Sequence, residues 1–400
     1  MDIKSARSFT SSEFDRSKLV VEIGEDFTKF GFAGEFSPKG IIRTKFETTS
    51  ESYNSDDILY FTRQSANSNL NDEKAYLVLK KYIQHIFKLA LASSATDIII
   101  VEDIFIDIRF KDALCKIILN DLKRERVMFV PTFLAATYPF NTSSALIVNI
   151  GYSDITVVSI VEGVTLLHSS QSISTLGTKA LLQRTKKLLK QHGRFENTQG
   201  DTSIDDDDFP KLESLGFIET VLTSHAFCTS ASRSAAYKTE EGPEKKSSDT
   251  SISFDGKRLI VPGFVRETIF ESLFDATLSE DQQTTLPEVI HDVVESLPRD
   301  TKKMMFGNII VTGSLSGTPG LLFRLKEEIQ RISTERKLKT TEVVNFYQFD
   351  GTNTNLFLEW LGASILASAS VFVKTTSLAR KDYLEGKKPA DWTQQNVKRI

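Results

Sequence analysis

Leu19-Val20-Val21-Glu22-Ile23-Gly24-Glu25-Asp26-Phe27-Thr28-Lys29-Phe30-Gly31-Phe32 reads as two apolar strands joined by a short polar turn. A second stretch, Leu146-Ile147-Val148-Asn149-Ile150-Gly151-Tyr152-Ser153-Asp154-Ile155-Thr156-Val157-Val158, repeats the pattern. Each has an apolar run, a polar residue, one aliphatic residue, Gly, and a tight polar turn into a second strand. Glu22 and Asn149 occupy the same place, as do Gly24 and Gly151. A hairpin of this build turns backbone N–H groups toward an anion, with the first polar side chain beneath it. Its recurrence far along the chain predicts a duplicated fold with one ligand clasped between the halves.

Composition narrows the class. The sequence has 400 residues and a formal net charge of -4, enough chain for two or three domains and no electrostatic case for nucleic acid. Cys115 and Cys228 are the only cysteines, which excludes a disulfide framework and fits a reducing compartment. The five histidines never stand at ligand spacing, so no metal site is predicted. Residues 1–18 are polar and read as a flexible tail without the apolar stretch of a signal peptide. The greasiest segment, Leu356 to Val373, is interrupted by Glu359 and serines. Its Gly362, Ala363, Ala367 and Ala369 suit a helix packed in a core better than a membrane span. A cytoplasmic protein without membrane insertion is expected.

Strands and helices alternate along the chain, which predicts an α/β layered architecture. Hairpins occupy about 19 to 43, and Thr44 to Asn71 is polar and poorly periodic. Leu77, Tyr82, Ile83, Ile86, Phe87 and Ala90 recur at helical spacing. A continuous apolar strand covers Thr96 to Glu102, an amphipathic helix Arg109 to Leu122, a short strand Val127 to Val130 and a short helix Phe133 to Tyr138. Leu176-Gly177-Thr178-Lys179 opens a helix to about Lys190. His192 to Leu215, with Asp205-Asp206-Asp207-Asp208, reads as a solvated loop, and Ser230 to Thr250 as a second polar loop. Phe217 to Cys228 reads as a short helix, and Asp255-Gly256 as a hairpin turn. Helices follow at Leu286 to Leu297 and Gly320 to Ile332, and a strand at Asn308 to Thr312 ends at Gly313.

Taken in order, these landmarks resemble the actin family. Phe30-Gly31-Phe32-Ala33-Gly34 is similar to the end of actin's first phosphate hairpin, and Ile160-Val161-Glu162-Gly163 follows the second as in actin. Asn308-Ile309-Ile310-Val311-Thr312-Gly313 with Pro319-Gly320 resembles the adenosine-side turn. Trp360-Leu361-Gly362-Ala363-Ser364-Ile365-Leu366-Ala367-Ser368 and Asp382-Tyr383 resemble the carboxy-terminal region. The resemblance spans about residues 19 to 386. It implies an actin-like duplicated α/β fold of the actin, hexokinase and Hsp70 ATPase type, with two lobes around a central cleft. Lobe I would be 19–142 with 358–400, including a reduced second subdomain at about 44–74. Lobe II would be 143–357, including a fourth subdomain at about 177–279 that carries the loops 192–215 and 230–250.

The family holds ATP and a divalent cation, and the resemblance carries those roles onto altered residues. The two cation carboxylates map to Glu22, one methylene longer, and to Asn149, which is neutral. The first turn has Glu25 and Asp26 where the family has a small hydroxyl and a glycine, and two anions there would repel triphosphate. Tyr152 and Ser153 replace an acid and a glycine in the second turn. The water-orienting glutamine and the nearby histidine map to Thr132 and Thr156, neither of which can take over proton handling. Gly313 is kept and the next glycine becomes Ser314, while nucleoside contacts map to Leu222, Thr223 and Leu356. Lys29 keeps the phosphate-facing lysine, and two other readings stay open for it: an outward strand residue, or a partner for Glu25. The vestigial nucleotide positions are thus Gly24, Lys29, Gly151, Gly313 and Ser314. No catalytic or metal residue is expected, and the cleft is expected to be empty or to hold ATP or ADP without hydrolysing it.

Among actin relatives, Ile23-Gly24-Glu25, Phe27-Thr28-Lys29, Gly31-Phe32-Ala33-Gly34-Glu35, Gly151-Tyr152 and Asp391-Trp392 resemble the pointed-end actin-related subunits of dynactin. The resemblance implies a non-catalytic, cytoskeletal filament cap. Its partners would be the actin-like filament subunits and other pointed-end subunits of dynactin, with dynein and microtubules as indirect ones. A nuclear actin-related subunit of a chromatin-remodelling complex, or an active ATPase of the same fold, are the competing expectations.

Overall fold

The structure is a computed structural model describing residues 16–47, 51–62, 70–103, 106–196, 201–239, 243–254, 257–278, 284–337, 343–349 and 353–389. The chain divides into two compact units, Met1–Thr142 with Phe357–Ile400, and Ser143–Leu356.

The first unit is built on β1 (Lys18–Ile23), β2 (Phe27–Phe32), β3 (Gly40–Arg43), the small hairpin of β4 (Phe46–Glu47) and β5 (Ser52–Tyr53), β6 (Asp97–Glu102) and β7 (Arg126–Pro131). Its six-stranded sheet runs β3-β2-β1-β6-β7, with the short strand Leu378–Ala379 beyond β7. Hairpins join β1, β2 and β3 antiparallel, whereas β1, β6 and β7 run parallel. Side chains alternate across the pleat. Leu19, Val21, Ile98, Ile100, Val127 and Phe129 share one cluster with the helices Asp72–Ala90 and Ile108–Cys115, and Val20, Ile99, Val101, Met128 and Val130 share another with the helix Leu358–Ser368. A sheet covered on both faces needs continuous apolar strands, which is why β6 reads Asp-Ile-Ile-Ile-Val-Glu. Trp360 is completely buried, and its indole N–H donates to the Val20 carbonyl at 3.2 Å.

The second unit repeats this plan. It contains β8 (Ala145–Ile150), β9 (Ile155–Val161), β10 (Val164–Ile173), the strands β11 (Arg194–Glu196), β12 (Thr202–Ser203), β13 (Thr250–Phe254) and β14 (Lys257–Val261), then β15 (Ile309–Gly313) and β16 (Phe346–Tyr347). Its main sheet runs β10-β9-β8-β15-β16. Again two antiparallel hairpin steps are followed by two parallel neighbours, here β15 and β16. The order matches β3-β2-β1-β6-β7 strand for strand. β11 to β14 form a separate four-stranded sheet.

Several expectations change. Leu77 is 53% exposed, because Ala75, Val78, Leu79 and Tyr82 take the inner face of its helix. The stretch read as a helix from Arg109 to Leu122 begins at Ile108 and passes into a π-helical segment, Lys116–Asp121. Described residues between 44 and 71 are more than a polar stretch, since Tyr53, Ile58, Leu59 and Phe61 are buried beside the helix Asp72–Ala90.

The expected polar loops 192–215 and 230–250 also carry regular structure. In the first, Phe195, Ile204, Phe209 and Leu212 reach the core, while Asp205 caps a 3-10 turn and Asp206 pairs with Lys190. Few apolar residues suffice when each is buried, so low apolar content misled the reading. The second holds the helix Ala231–Ala236, which is tied down by polar contacts. Arg233 pairs with Glu267, and Ser234 donates to Glu271, which the buried Arg324 also engages at 3.1 Å. The apolar run near the carboxy terminus is two helices, Leu358–Ser368 and Ser370–Thr376, rather than one. With the preceding turn they bend by 96° at the break, and no single helix among the described residues is long and apolar enough to cross a membrane. The expected tail is described only from Arg16, with Lys18 already in β1. The Asp255-Gly256 turn and Asp391-Trp392 lie outside the described residues.

Candidate functional site

The two glycine turns superpose in register. In the first, Ile23 faces Thr28 across the hairpin and Glu22 faces Lys29; in the second, Ile150 faces Ile155 and Asn149 faces Thr156. A Cβ on Gly24 would lie 2.8 Å from the Phe27 carbonyl oxygen, and one on Gly151 would lie 2.7 Å from that of Asp154. Both turns therefore close so tightly that only glycine fits at their first position.

In the first unit the expected ligand-facing residues are engaged with one another. The Lys29 ammonium donates to Glu22 Oε1 at 2.5 Å, with side chains only 13% and 14% exposed. Lys29 thus pairs with Glu22, not with Glu25 and not as an outward strand residue, because direct cross-strand register places Glu22 opposite it. Burial alone would lower the pKa of this amine. The charges of Glu22 and of Glu359, on the helix Leu358–Ser368, outweigh that and hold it above the ordinary lysine value. The second Glu22 oxygen is buried without a hydrogen-bond partner. Glu359, 2% exposed, was missed as a site residue, although a lone acid within an apolar helix was the available signal.

The first turn itself is less electronegative than its sequence implies. Asp26 accepts from Arg43 at 2.5 Å, and the Arg43 guanidinium lies over the Phe27 ring at 4.7 Å. The Thr44 hydroxyl donates to the Gly24 carbonyl at 2.7 Å, and its amide to Asp26. The repulsion expected from two acids is thus eased at Asp26. Thr132 opens the helix Thr132–Ala135, and its hydroxyl donates to the Glu102 carbonyl at 2.8 Å.

In the second unit the turn is held by neutral groups. The Gly151 carbonyl accepts from the Thr178 amide and hydroxyl, both at 3.0 Å, and the Thr178 hydroxyl lies 3.0 Å from that of Ser314. Thr156 and Ser172 both donate to Asp154, so the Thr156 hydroxyl supports the turn. Gly313, with φ of +96°, packs against the strand bearing Asn149; a Cβ there would lie 2.2 Å from the Ile150 oxygen and 2.8 Å from Asn149 Oδ1. Tyr152 lines a pocket of about 260 Å³ with Lys179, Lys186, Glu213, Gly216 and Glu219, and the Lys186–Glu213 pair at 2.7 Å borders it. Leu222, expected among the nucleoside contacts, is instead a core residue at 1% exposure, and Thr223 caps back onto Glu219.

A divalent cation held by two carboxylates does not fit these residues. Glu22 already neutralises a buried ammonium, and Asn149 brings no charge. Among the described residues no group of three His, Cys, Asp or Glu is placed to hold a metal.

Sequence comparison places this geometry. The actin family model, "Actin", matches residues 14–392. The chain belongs to the actin family. It is 26% identical to "Actin-related protein 10" of Dictyostelium discoideum, over 88% of this chain and 83% of that protein. It is 25% identical to "Actin-like protein arp10" of Schizosaccharomyces pombe, over 67% and 71%. It is 20% identical to "SWI/SNF and RSC complexes subunit arp42" of the same yeast, over 88% and 92%. The repeated five-strand order of the two units is the duplication that the family's fold implies.

Proposed function

We propose that this chain is a non-catalytic actin-related subunit that caps the pointed end of the short actin-like filament of dynactin, supporting dynein-driven transport in the cytoplasm. The observation that carries the non-catalytic part is the Glu22–Lys29 pair. The residue that would hold a cation and the residue that would hold phosphate satisfy each other at 2.5 Å. Asn149 supplies no second carboxylate, and Thr132 and Thr156 spend their hydroxyls on local backbone and side-chain contacts. ATP is therefore not turned over, and any bound ATP or ADP acts as a static filler.

The capping part rests on the resemblance of the first hairpin to pointed-end actin-related subunits and on likeness to the proteins named "Actin-related protein 10" and "Actin-like protein arp10". The described residues of 44–74 add support. They pack on the helix Asp72–Ala90 through Tyr53, Ile58 and Phe61, and the sequence of the region is short, acidic and unlike the inserting loop of polymerising actins. A subunit that offers one ordinary contact surface and no inserting loop joins a filament end and stops extension.

Mass spectrometry of the native assembly recovered through a tagged chain tests the reading. One copy per assembly with dynactin subunits, and Mg-ATP turnover no faster than that of a Lys29→Met variant, is expected. Recovery with chromatin-remodelling ATPases would favour the second reading, which the likeness to arp42 keeps open. Phosphate release that depends on Lys29 would overturn the non-catalytic part.

A further inference from the structure

Three buried hydroxyls run in line from the helix Asp72–Ala90 to the first glycine turn: those of Tyr82, Thr28 and Thr44. The Tyr82 hydroxyl donates to Thr28 Oγ1 at 2.6 Å, and Thr28 Oγ1 lies 3.0 Å from Thr44 Oγ1. The Thr44 hydroxyl donates to the Gly24 carbonyl at 2.7 Å. The order of protons along the line is fixed. A carbonyl only accepts, so Thr44 spends its one proton on Gly24 and must accept from Thr28. Thr28 in turn accepts from Tyr82.

Each of these hydroxyls would be costly if buried alone, and valine or phenylalanine would fill the same space without that cost. Satisfied in line, they polarise one another and hold a single orientation. The line ends on the Gly24–Glu25 peptide. Because that peptide is planar, a held carbonyl also sets the direction of the Glu25 N–H. The Thr44 amide donates to the Asp26 carbonyl at 2.8 Å, so Thr44 grips the turn at two points. At the other end, the Tyr82 ring meets Phe46 nearly edge-on, with centroids 6.5 Å apart. Residues 44–46 therefore touch both the turn and the helix.

The second hairpin isolates what the line adds. Ile155 stands at the register position of Thr28 and is wholly buried, so no hydroxyl line can pass through it. The Gly151 carbonyl also accepts a threonine hydroxyl, but Thr178 opens the helix Thr178–His192 and reaches the turn directly.

We propose that Tyr82, Thr28 and Thr44 form a conformational latch, an oriented hydroxyl relay through which the helix Asp72–Ala90 sets the peptide plane of the first glycine turn. The coupling is reciprocal: displacing the helix loosens the turn, and fixing the turn steadies the helix. The latch does not depend on the capping reading.

Hydrogen exchange of the full chain, read by mass spectrometry on fragments covering 20–27, 43–47 and 97–102, tests the latch. Thr28→Val removes no group that bonds the turn directly, yet it should speed exchange of the Gly24 and Thr44 amides about tenfold. The amides of β6, in the same sheet, should keep their protection. Thr28→Ser retains the hydroxyl and should match the unmodified chain. Should Thr28→Val fail to fold, Tyr82→Phe replaces it, since it removes the first donor and strands no polar atom; a smaller acceleration at the same two amides is expected. Unchanged exchange at Gly24 and Thr44 in the variant used would overturn the proposal. Equal acceleration in β6, or a Thr28→Ser chain that exchanges as fast as Thr28→Val, would do so too.

Discussion

The hairpin β1–β2 and the hairpin β8–β9 have the same register and the same glycine turn, yet their side chains are satisfied in opposite ways. The first keeps charge and satisfies it internally: Glu22 pairs with the Lys29 ammonium, which the charge of Glu359 also favours, and Arg43 meets Asp26. The second meets its groups with neutral partners: Asn149 stands for a carboxylate with Thr156 opposite it, hydroxyls of Thr178 and Ser314 hold the turn, and its one acid, Asp154, accepts from Ser172 and Thr156. Geometry and electrostatics were thus separable. The turn backbone is the same in both copies because strands and core on both sides fix it, whereas the side chains around it differ.

If that contrast is right, the largest effect belongs to the charged copy. Lys29→Met leaves Glu22, only 14% exposed, without its cation, and should cost about 3–5 kcal/mol. Thr156→Val at the equivalent position should cost about 1 kcal/mol. Urea unfolding followed by Trp360 emission in a Trp392→Phe background reads the first unit directly. Adding Glu22→Gln to Lys29→Met should recover part of the loss, since one stranded charge is removed. A Lys29→Met variant as stable as the parent would mean that the pair contributes nothing. The pH dependence has a definite sign. A raised lysine pKa contributes fully below the unfolded value near 10.5 and loses that contribution as pH rises through the higher folded value. The gap between parent and Lys29→Met should therefore hold through neutral pH and narrow only in strong alkali.

The next effect sharpens the shared backbone. Gly313→Ala meets both a positive φ and a carbonyl 2.2 Å away, and should cost about 3 kcal/mol or more. Gly24→Ala meets only a carbonyl at 2.8 Å, so its cost should be smaller. Thermal melting of the two variants gives the comparison, and equal losses would show that the φ at Gly313 is not a constraint.

What the sequence revealed follows the same division. The hairpins, the parallel strands β6 and β15 and the long helices were legible because apolar periodicity and glycine position are properties of short windows. The fate of the charges was not. Lys29 has acids at Glu22, Glu25 and Asp26 within reach in sequence, and only the strand register selects Glu22. Glu359 and Arg43 reach the site from other elements, at distances in sequence that no local pattern encodes. The acidic run at 205–208 is largely exposed, as its sequence reads, whereas the buried Ile204 and Phe209 on either side, which decide its packing, are single residues that no run announces.

The smallest effects separate the two turns by mechanism. Asp26 in the first turn is held by an arginine that is 39% exposed, and Asp154 in the second by the hydroxyls of Ser172 and Thr156. Ser172→Ala should cost about 1 kcal/mol, since a carboxylate loses a hydrogen bond, and the loss should be the same at low and high salt. Arg43→Met should cost less than about 1 kcal/mol, because a partly exposed ion pair is screened and competes with water. That cost should fade as ionic strength rises and the Debye length shrinks. Melting both variants in a salt series distinguishes them. Parallel salt responses would mean that the two turns are held in the same way, and the contrast between a charged and a neutral copy would then be confined to Lys29 and Asn149.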